Sequence, residues 1–181
     1  MSIANRRQKN PQLVRSQLIE SAVELALESG LNAVSLEAVA SRAGVTKGGL
    51  LHHFANKQLL IDAVFDELVL DFETALRARM ANDQETRGRF TRAYLELAIE
   101  AQQDDSRVWA LWISVFSDAR LRDAWGHWLN ARLEEYGDTE SGADMEAVRF
   151  AADGIWLSHM VGVVPNDWLA LRSRLVKMIS D

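Results

Sequence analysis

Apolar residues recur every three or four positions along most of this 181-residue chain, which is the spacing of one buried face of an α-helix. Val14, Leu18, Ala22 and Leu25 show this spacing in the first stretch, and comparable runs continue to Met178. No stretch alternates convincingly as a half-buried strand does. The pattern therefore predicts an all-α protein of about nine helices.

Residues that begin and end helices divide the first third of the chain into segments. Four good N-caps each precede an apolar run: Asn10, Ser35, Thr46 and Asn56. Pro11 suits the first position of a helix, and Gly30 and Gly44 are natural C-terminal stops. We expect a long first helix, then two short ones ending at Gly44 and at about Phe54, and then a long fourth helix.

The remaining two thirds has the pattern of a helical bundle that is rich in aromatic residues. All 6 tryptophans lie beyond residue 108. The segment 137–142 (GDTESG) is the clearest loop, because it is short, polar and bounded by glycines. A helix from about Ala143 to Val164 should follow this loop and end at Pro165, and Asn166 should cap the last helix.

The segment from Ser35 to Phe54 has the residues that two short, steeply crossing helices require. Ala40 is small enough to let the two backbones approach, and Gly44 tolerates the positive φ of a tight turn. Val45 and Leu50 would pack beneath the second helix. The pattern predicts a helix-turn-helix, although an ordinary helical hairpin is the simpler alternative.

Charge is distributed unevenly between the two parts of the chain. The formal net charge is −6, yet residues 1–57 contain seven basic and four acidic residues, whereas the remainder contains 13 basic and 22 acidic ones. A basic head on an acidic body would approach DNA in one orientation. A solvated basic tail without a partner would give the same distribution, so charge alone does not decide between them.

The exposed face of the second short helix supports DNA binding. Its N-terminus offers backbone N–H groups and a helix dipole to a phosphate, and two glycines leave the backbone free to approach a groove. Because this face carries no arginine, phosphate and apolar contacts should outweigh base reading. The predicted DNA-binding residues are Ser35, Thr46, Lys47, Gly48, Gly49, Leu51, His52, His53 and Lys57.

The run Gly44-Val45-Thr46-Lys47-Gly48, then Gly49-Leu50-Leu51-His52-His53-Phe54 and Asn56-Lys57, resembles the helix-turn-helix of the tetracycline-repressor (TetR/AcrR) family. The resemblance covers about residues 12–65. This family often has tyrosine where Leu51 stands, so a tyrosine contact is not transferred to that position. The resemblance implies a DNA-binding transcriptional regulator, a repressor that binds a palindromic operator as a homodimer and is released by a small-molecule ligand.

The stretch 151–165, AADGIWLSHMVGVVP, is similar to one subgroup of the family, in which the last two long helices pair with those of a second subunit. The interface residues expected from this are Val148, Ile155, Trp156, Met160, Trp168, Leu171 and Leu175. The family also implies a ligand cavity, for which the candidates are Tyr94, Trp109, Trp112, Phe116, Trp125, Trp128, Trp156 and His159. Tryptophans that simply fill a helical core are the alternative. We therefore expect a DNA-binding domain at 1–56 and a ligand-binding and dimerisation domain at 57–181.

The composition and the absence of known motifs in the sequence argue against several other functional classes. With no cysteine, disulfides, thiolate metal sites and a cysteine nucleophile are excluded. The four histidines lack partners at metal-binding spacing and no enzyme motif is present, so no metal, cofactor or catalytic residue is expected. Without a signal peptide or a run of about 18 apolar residues, we expect a cytoplasmic protein with no membrane partner. An enzyme remains the alternative from another functional class, because carboxylates are plentiful, and a helical adaptor with a vestigial helix-turn-helix is a third possibility.

Overall fold

The computed structural model describes residues 10–100 and 107–180, including all their side chains except those at 107–110, 114 and 160. Every regular element in these ranges is a helix, so the predicted all-α class is confirmed. None of the described helices has both the length and the apolar run that crossing a membrane requires. The helices are α1 (Pro11–Ser29), a 3-10 turn (Leu31–Ala33), α2 (Leu36–Arg42), α3 (Lys47–His53), α4 (Lys57–Asn82), α5 (Arg89–Glu100), α6 (Arg107–Ser117), α7 (Ala119–Glu135), α8 (Gly137–Glu140), α9 (Ala143–Met160) and α10 (Trp168–Ser180).

Side-chain caps begin the first four helices at the predicted positions. Each capping oxygen accepts a hydrogen bond from a backbone N–H two or three residues later, at 2.9–3.1 Å; the caps are Asn10, Ser35, Thr46 and Asn56. Gly30, with φ 79°, ends α1 as expected. Each such cap contributes about 1 kcal/mol to helix stability, so these boundaries are specified locally.

The chain divides into two compact units, Met1–Glu67 and Leu68–Asp181, which we call the head and the body. The division falls inside α4, whereas the boundary expected at residue 57 lies where that helix begins. In the head, α2 contacts both α1 and α3. Buried apolar side chains come from each of these helices, including Leu18, Val39 and Leu50.

The body is built around α5, α9 and α10, which contact one another. Its core contains Phe90 and Leu95 from α5, Val148 and Ala152 from α9, and Ile179 from α10, all of them buried. The amphipathic spacing that predicted these helices is thus satisfied by one shared apolar core.

The predicted loop at 137–142 contains the one-turn helix α8, so that prediction was wrong. Its last residue, Glu140, is 3% exposed, and its carboxylate accepts hydrogen bonds from Phe90 N (2.9 Å), Thr91 N (3.0 Å) and Thr91 Oγ1 (2.7 Å). Arg149 Nη1 donates to the same hydroxyl oxygen at 2.8 Å. Glu140 caps N–H groups of α5, which is far away along the chain. Nothing in the sequence therefore indicated that this polar segment is structured.

Helix α9 ends at Met160 rather than at about Val164. Gly162 has φ 74°, and Val163 N donates to Ser158 O at 2.9 Å, which together make a Schellman-type C-cap. A glycine in the left-handed region therefore ends this helix before the predicted proline is reached.

The N-cap of the last helix is displaced by one position from the predicted one. The Oδ1 atom of Asp167, not Asn166, accepts the hydrogen bond from Ala170 N at 2.9 Å. Both residue types cap helices well, so the sequence alone did not separate the two neighbours.

Candidate DNA-binding surface and ligand cavity

The turn between α2 and α3 has the geometry of a helix-turn-helix. Gly44 has φ 65°, and Val45 N donates to Ala40 O at 3.0 Å, which closes a Schellman-type cap on α2. Leu50 is fully buried beneath α3, and Ala40 is 4% exposed. The predicted packing roles of Ala40, Gly44 and Leu50 are therefore confirmed.

Most of the predicted DNA-binding residues lie on the outside of the head. The exposed ones are Thr46, Lys47, Gly48, Leu51, His52 and Lys57, and the half-buried ones are Ser35, Gly49 and His53. A Cβ at Gly48 would meet no atom within 4 Å, whereas one at Gly49 would lie 3.3 Å from Thr46 Oγ1. Gly48 thus leaves a clear outer surface on α3, while Gly49 leaves room for the hydroxyl that caps it.

Both lysines of this surface have partners within the head. The Lys47 ammonium pairs with the Glu37 carboxylate, and its hydrogen bond lowers the pKa of Glu37. Lys57 Nζ donates to Asn32 O at 2.9 Å. A DNA phosphate would therefore replace an existing partner at each lysine.

The described arginines of the head are also engaged. Arg42 makes a two-pronged ion pair with Glu28, at 2.8 Å and 2.6 Å, and the Arg15 guanidinium lies 5.1 Å from the centroid of the Phe54 ring. The fork geometry and the cation–π contact hold both guanidinium groups in place. Arg6, Arg7 and Lys9 lie outside the described residues.

The body contains a cavity of about 340 Å³ that is lined mainly by aromatic rings. These rings belong to helices α4 to α7 and α9: Phe72, Tyr94, Trp112, Phe116, Trp125 and Trp156. Neighbouring rings stand mostly edge to face, as in the Trp112–Trp125 pair, whose centroids are 5.0 Å apart at 68°. A partly open apolar space of this size is typical of a small-molecule site.

One hydrogen-bonded pair supplies polarity to this lining. The Tyr94 hydroxyl donates to Asp153 Oδ1 at 2.6 Å. Burial raises the pKa of Tyr94 well above its ordinary value, and the nearby Asp153 charge raises it further. Desolvation also raises the pKa of Asp153, against the opposing effect of the bond from Tyr94.

Five of the eight candidate ligand residues line the cavity: Tyr94, Trp112, Phe116, Trp125 and Trp156. Trp128 and His159 are not among the lining residues; Trp128 instead stacks on Trp125 at 4.9 Å. The side chain of Trp109 lies outside the described residues. Sequence reasoning missed Asp153, although one carboxylate in an otherwise apolar turn just before Trp156 was a usable signal.

Two family models cover most of the chain. Residues 18–64 match the model described as bacterial regulatory proteins, tetR family, and residues 88–180 match the tetracyclin repressor-like C-terminal domain. An HTH-type transcriptional regulator BetI of Ectopseudomonas mendocina is 30% identical over 162 residues, which cover 79% of this chain and 80% of the relative. This chain belongs to the TetR family of transcriptional regulators. It is a DNA-binding regulator, as the sequence predicted.

Solved structures share the fold of this TetR-family regulator. The transcriptional regulator SCO7518 from Streptomyces coelicolor A3(2) superposes with a TM-score of 0.77 at 16% identity, covering 93% of this chain and 99% of that one. The multidrug binding protein EbrR, complexed with malachite green, gives a TM-score of 0.71 at 21% identity, covering 91% and 97%. At these identities, the likeness concerns the fold.

The residues expected at a dimer interface of this TetR-family regulator fall into three groups. Val148 is completely buried in the core of the body, so it has no surface to offer a second subunit, and that assignment is corrected. Ile155, Trp168, Leu171 and Leu175 line a groove between α9 and α10, although Ile155 and Leu175 are themselves largely buried. Trp156 lines the aromatic cavity, and the side chain of Met160 lies outside the described residues.

Glu73 on α4 joins the aromatic cluster to charged residues of the regulator's body. Its carboxylate accepts hydrogen bonds from Trp128 Nε1 at 3.1 Å and Arg132 Nη1 at 3.0 Å, and it pairs with Arg77 at 2.6 Å. Partial burial alone would raise the pKa of Glu73, but these hydrogen bonds and charges lower it below its usual value. The neighbouring Phe72 lines the cavity.

Proposed function

We propose that this TetR-family regulator is a repressor that binds a palindromic operator as a homodimer, and that a small molecule in the body cavity releases it. The observation that carries the proposal is the coexistence of a glycine-started recognition helix in the head and an aromatic cavity in the body. The multidrug binding protein EbrR, complexed with malachite green, supports the ligand half by analogy of fold. As a regulator of genes, it would act in the cytoplasm and have no catalytic role.

The proposed DNA interface rests on the head's exposed surface around α3. A Cβ at Gly48 would meet no atom within 4 Å, so the backbone there is open to a close approach by DNA. Lys47 and Lys57 would exchange their partners Glu37 and Asn32 for phosphates. Leu51, exposed beyond them, is suited to an apolar contact such as a thymine methyl group.

The proposed homodimer rests on apolar side chains that the body leaves exposed on α9 and just beyond it. Phe150 is 67% exposed, Leu157 54% and Val161 69%, and their spacing places them on one stripe of the helix. Leu169 of α10 is 81% exposed. Several large apolar side chains exposed on one stripe of a helix are typical of an interaction surface, so a second copy of the same surface is the proposed occupant.

The DNA half of the proposal is tested by salt-dependent binding of the full-length protein to a selected operator and to random duplex. Lys47→Ala and Lys57→Ala should weaken both, and each should reduce the slope of log affinity against log salt by about one charge. Lys177→Ala, in the last turn of α10, is the matched control and should change neither. A loss confined to one base position, or an unchanged slope, would contradict phosphate binding by these lysines.

The ligand half is tested by adding aromatic compounds to the protein–operator complex. A compound that occupies the cavity should quench tryptophan fluorescence and lower operator affinity over the same concentration range, because both signals report occupancy of that cavity. If saturating cavity ligands left operator affinity unchanged, the proposed release would be wrong.

A further inference from the structure

The described residues that line the cavity include one carboxylate and no basic side chain. Of the described residues that form it, Asp153 is the one carboxylate, and no lysine, arginine or histidine is present. All other lining groups are apolar or aromatic apart from the hydroxyl of Tyr94 and the indole N–H groups. A ligand entering this space therefore meets a negative charge and the negative faces of aromatic rings.

The Asp153 carboxylate is not neutralised by an ion pair among the described residues. Three arginines of the body pair with other acids: Arg92 with Asp83, Arg132 with Glu73 and Arg172 with Glu96. Arg149, on the same helix as Asp153, donates instead to Thr91 Oγ1 at 2.8 Å and to Glu140 O at 3.2 Å. The hydroxyl of Tyr94 gives Asp153 a hydrogen bond but no compensating charge.

We infer that the cavity selects a monovalent organic cation, with Asp153 as its counter-ion and the surrounding aromatic rings as its cage. The inference rests on the proposed ligand-binding role of this cavity and names the chemical class of the ligand. Aromatic faces attract cations that lie within about 6 Å of the ring centroid, most strongly in a desolvated site. A single carboxylate balances one positive charge and repels an anion.

The size and the energetics of the site agree with this class of ligand. A cavity of about 340 Å³ accommodates one ring with a substituted ammonium group. Asp153 lies at the open side of the cavity, where the residue keeps exposed surface while partial desolvation of its carboxylate raises its pKa. A bound cation supplies the missing opposite charge, whereas a neutral ligand of the same shape leaves that desolvation uncompensated.

Calorimetric titration of the full-length protein with two isosteric probes tests the inference. The probes are (meta-hydroxyphenyl)trimethylammonium and meta-tert-butylphenol, which differ only in a charged nitrogen in place of a carbon. Wild-type protein should bind the ammonium probe at least about tenfold more tightly. Asp153→Asn keeps an oxygen that can accept the Tyr94 hydrogen bond, and it should reduce that preference to about twofold or less.

Two further variants test whether the probes bind in the cavity and whether the loss of any carboxylate would have the same effect. Asp144→Asn makes the same chemical change in the exposed first turn of α9 and should preserve the preference. Leu97→Trp, which extends a lining side chain into the cavity, should weaken both probes. Circular dichroism would confirm that each variant is folded. If a variant does not fold, the comparison of the two probes on the wild-type protein still tests the preference for a cation.

Equal binding of the two wild-type probes, tighter binding of the phenol, or no binding of either would each overturn the inference. So would a preference that survives Asp153→Asn. These failures are separable from failure of the proposed release mechanism. If neutral ligands release operator without any preference for the cation, the inference falls and the release mechanism stands. If the cation binds selectively while operator affinity is unchanged, the release mechanism falls and the inference stands.

Discussion

Gly44 and Gly48 lie in the same motif, but the backbone of Gly44 disfavours a side chain and that of Gly48 tolerates one. Gly44 has φ 65°, where a side chain is strained even though a Cβ would meet no atom within 4 Å. Gly48 has helical geometry within α3, and a Cβ there would also extend into open space. An alanine at either position causes no steric clash, so the change in stability that it produces reports the backbone conformation alone.

We expect Gly44→Ala to lower the free energy of unfolding by about 1–2 kcal/mol, the cost of placing an L-residue in the left-handed region. Gly48→Ala should raise it by about 0.5–1 kcal/mol, yet weaken operator binding because the added methyl group holds the backbone away from the groove. Urea unfolding and operator titration would measure both effects. Changes of stability with the same sign, or unimpaired operator binding by Gly48→Ala, would contradict this account.

Most residues whose partners are close along the chain could be predicted from sequence, the cap of the last helix excepted, and those with distant partners could not. Asn10, Ser35, Thr46 and Asn56 cap helices through bonds to the next few residues, so residue type and position identified them. Glu140 and Asp153 bond to side chains and N–H groups of α5, far away in sequence. Nothing local distinguishes such a carboxylate from one that is solvated.

At the scale of elements, α4 is held to α7 through Glu73. Trp128 and Arg132, one turn apart on α7, both donate to its carboxylate. Trp128 also stacks on the cavity residue Trp125 at 4.9 Å. The attachment of α4 therefore depends on a charged carboxylate beside the aromatic cluster.

The pKa of Glu73 is lowered from its usual value of 4.5, so its ion pairs stabilise the fold above about pH 4.5, and this contribution is lost as pH falls through the lowered value. We expect Glu73→Gln to lower the melting temperature at pH 7 and this difference to narrow below about pH 4. Glu134→Gln, an exposed change on α7, is the control and should show no such convergence. A constant difference across this range would show that Glu73 does not act through its charge.

The long helices could be predicted because apolar periodicity continues through each of them. Short elements and helix ends were less accessible. Helix α8 has four residues, too few for periodicity to show, and α9 ends at Met160 because Gly162 adopts a positive φ. Glycine permits that conformation without requiring it, so the sequence left the later proline as an equally reasonable stop.

At the scale of the whole molecule, the surface of α9 has three different environments. Val148 and Ala152 are in the core, Asp153 and Trp156 line the cavity, and the stripe containing Phe150 is exposed. The sequence analysis placed residues of this helix both at an interface and in a cavity, Trp156 among both sets, and it did not separate these environments. That assignment required the packing partners of the helix.

We expect Phe150→Glu to convert the proposed dimer to a monomer, because two like charges would be buried at a two-fold interface. Leu70→Glu is the matched control, since Leu70 is another large apolar residue, 57% exposed, on α4, and it should leave the dimer intact. Sedimentation velocity would measure both. If the Phe150→Glu protein remains dimeric, the interface does not include this stripe.

The position of the head–body division inside α4 has a consequence for how such regulators exchange parts during evolution. Leu60, Ile61 and Val64 are buried side chains from the first turns of this helix, on the head side of the division. A recombination event that joined a new sensor at residue 57 would remove all three. Crossovers that leave both halves intact are those that fall further along α4, so the inherited unit of DNA recognition includes a piece of the helix that its sensor also uses.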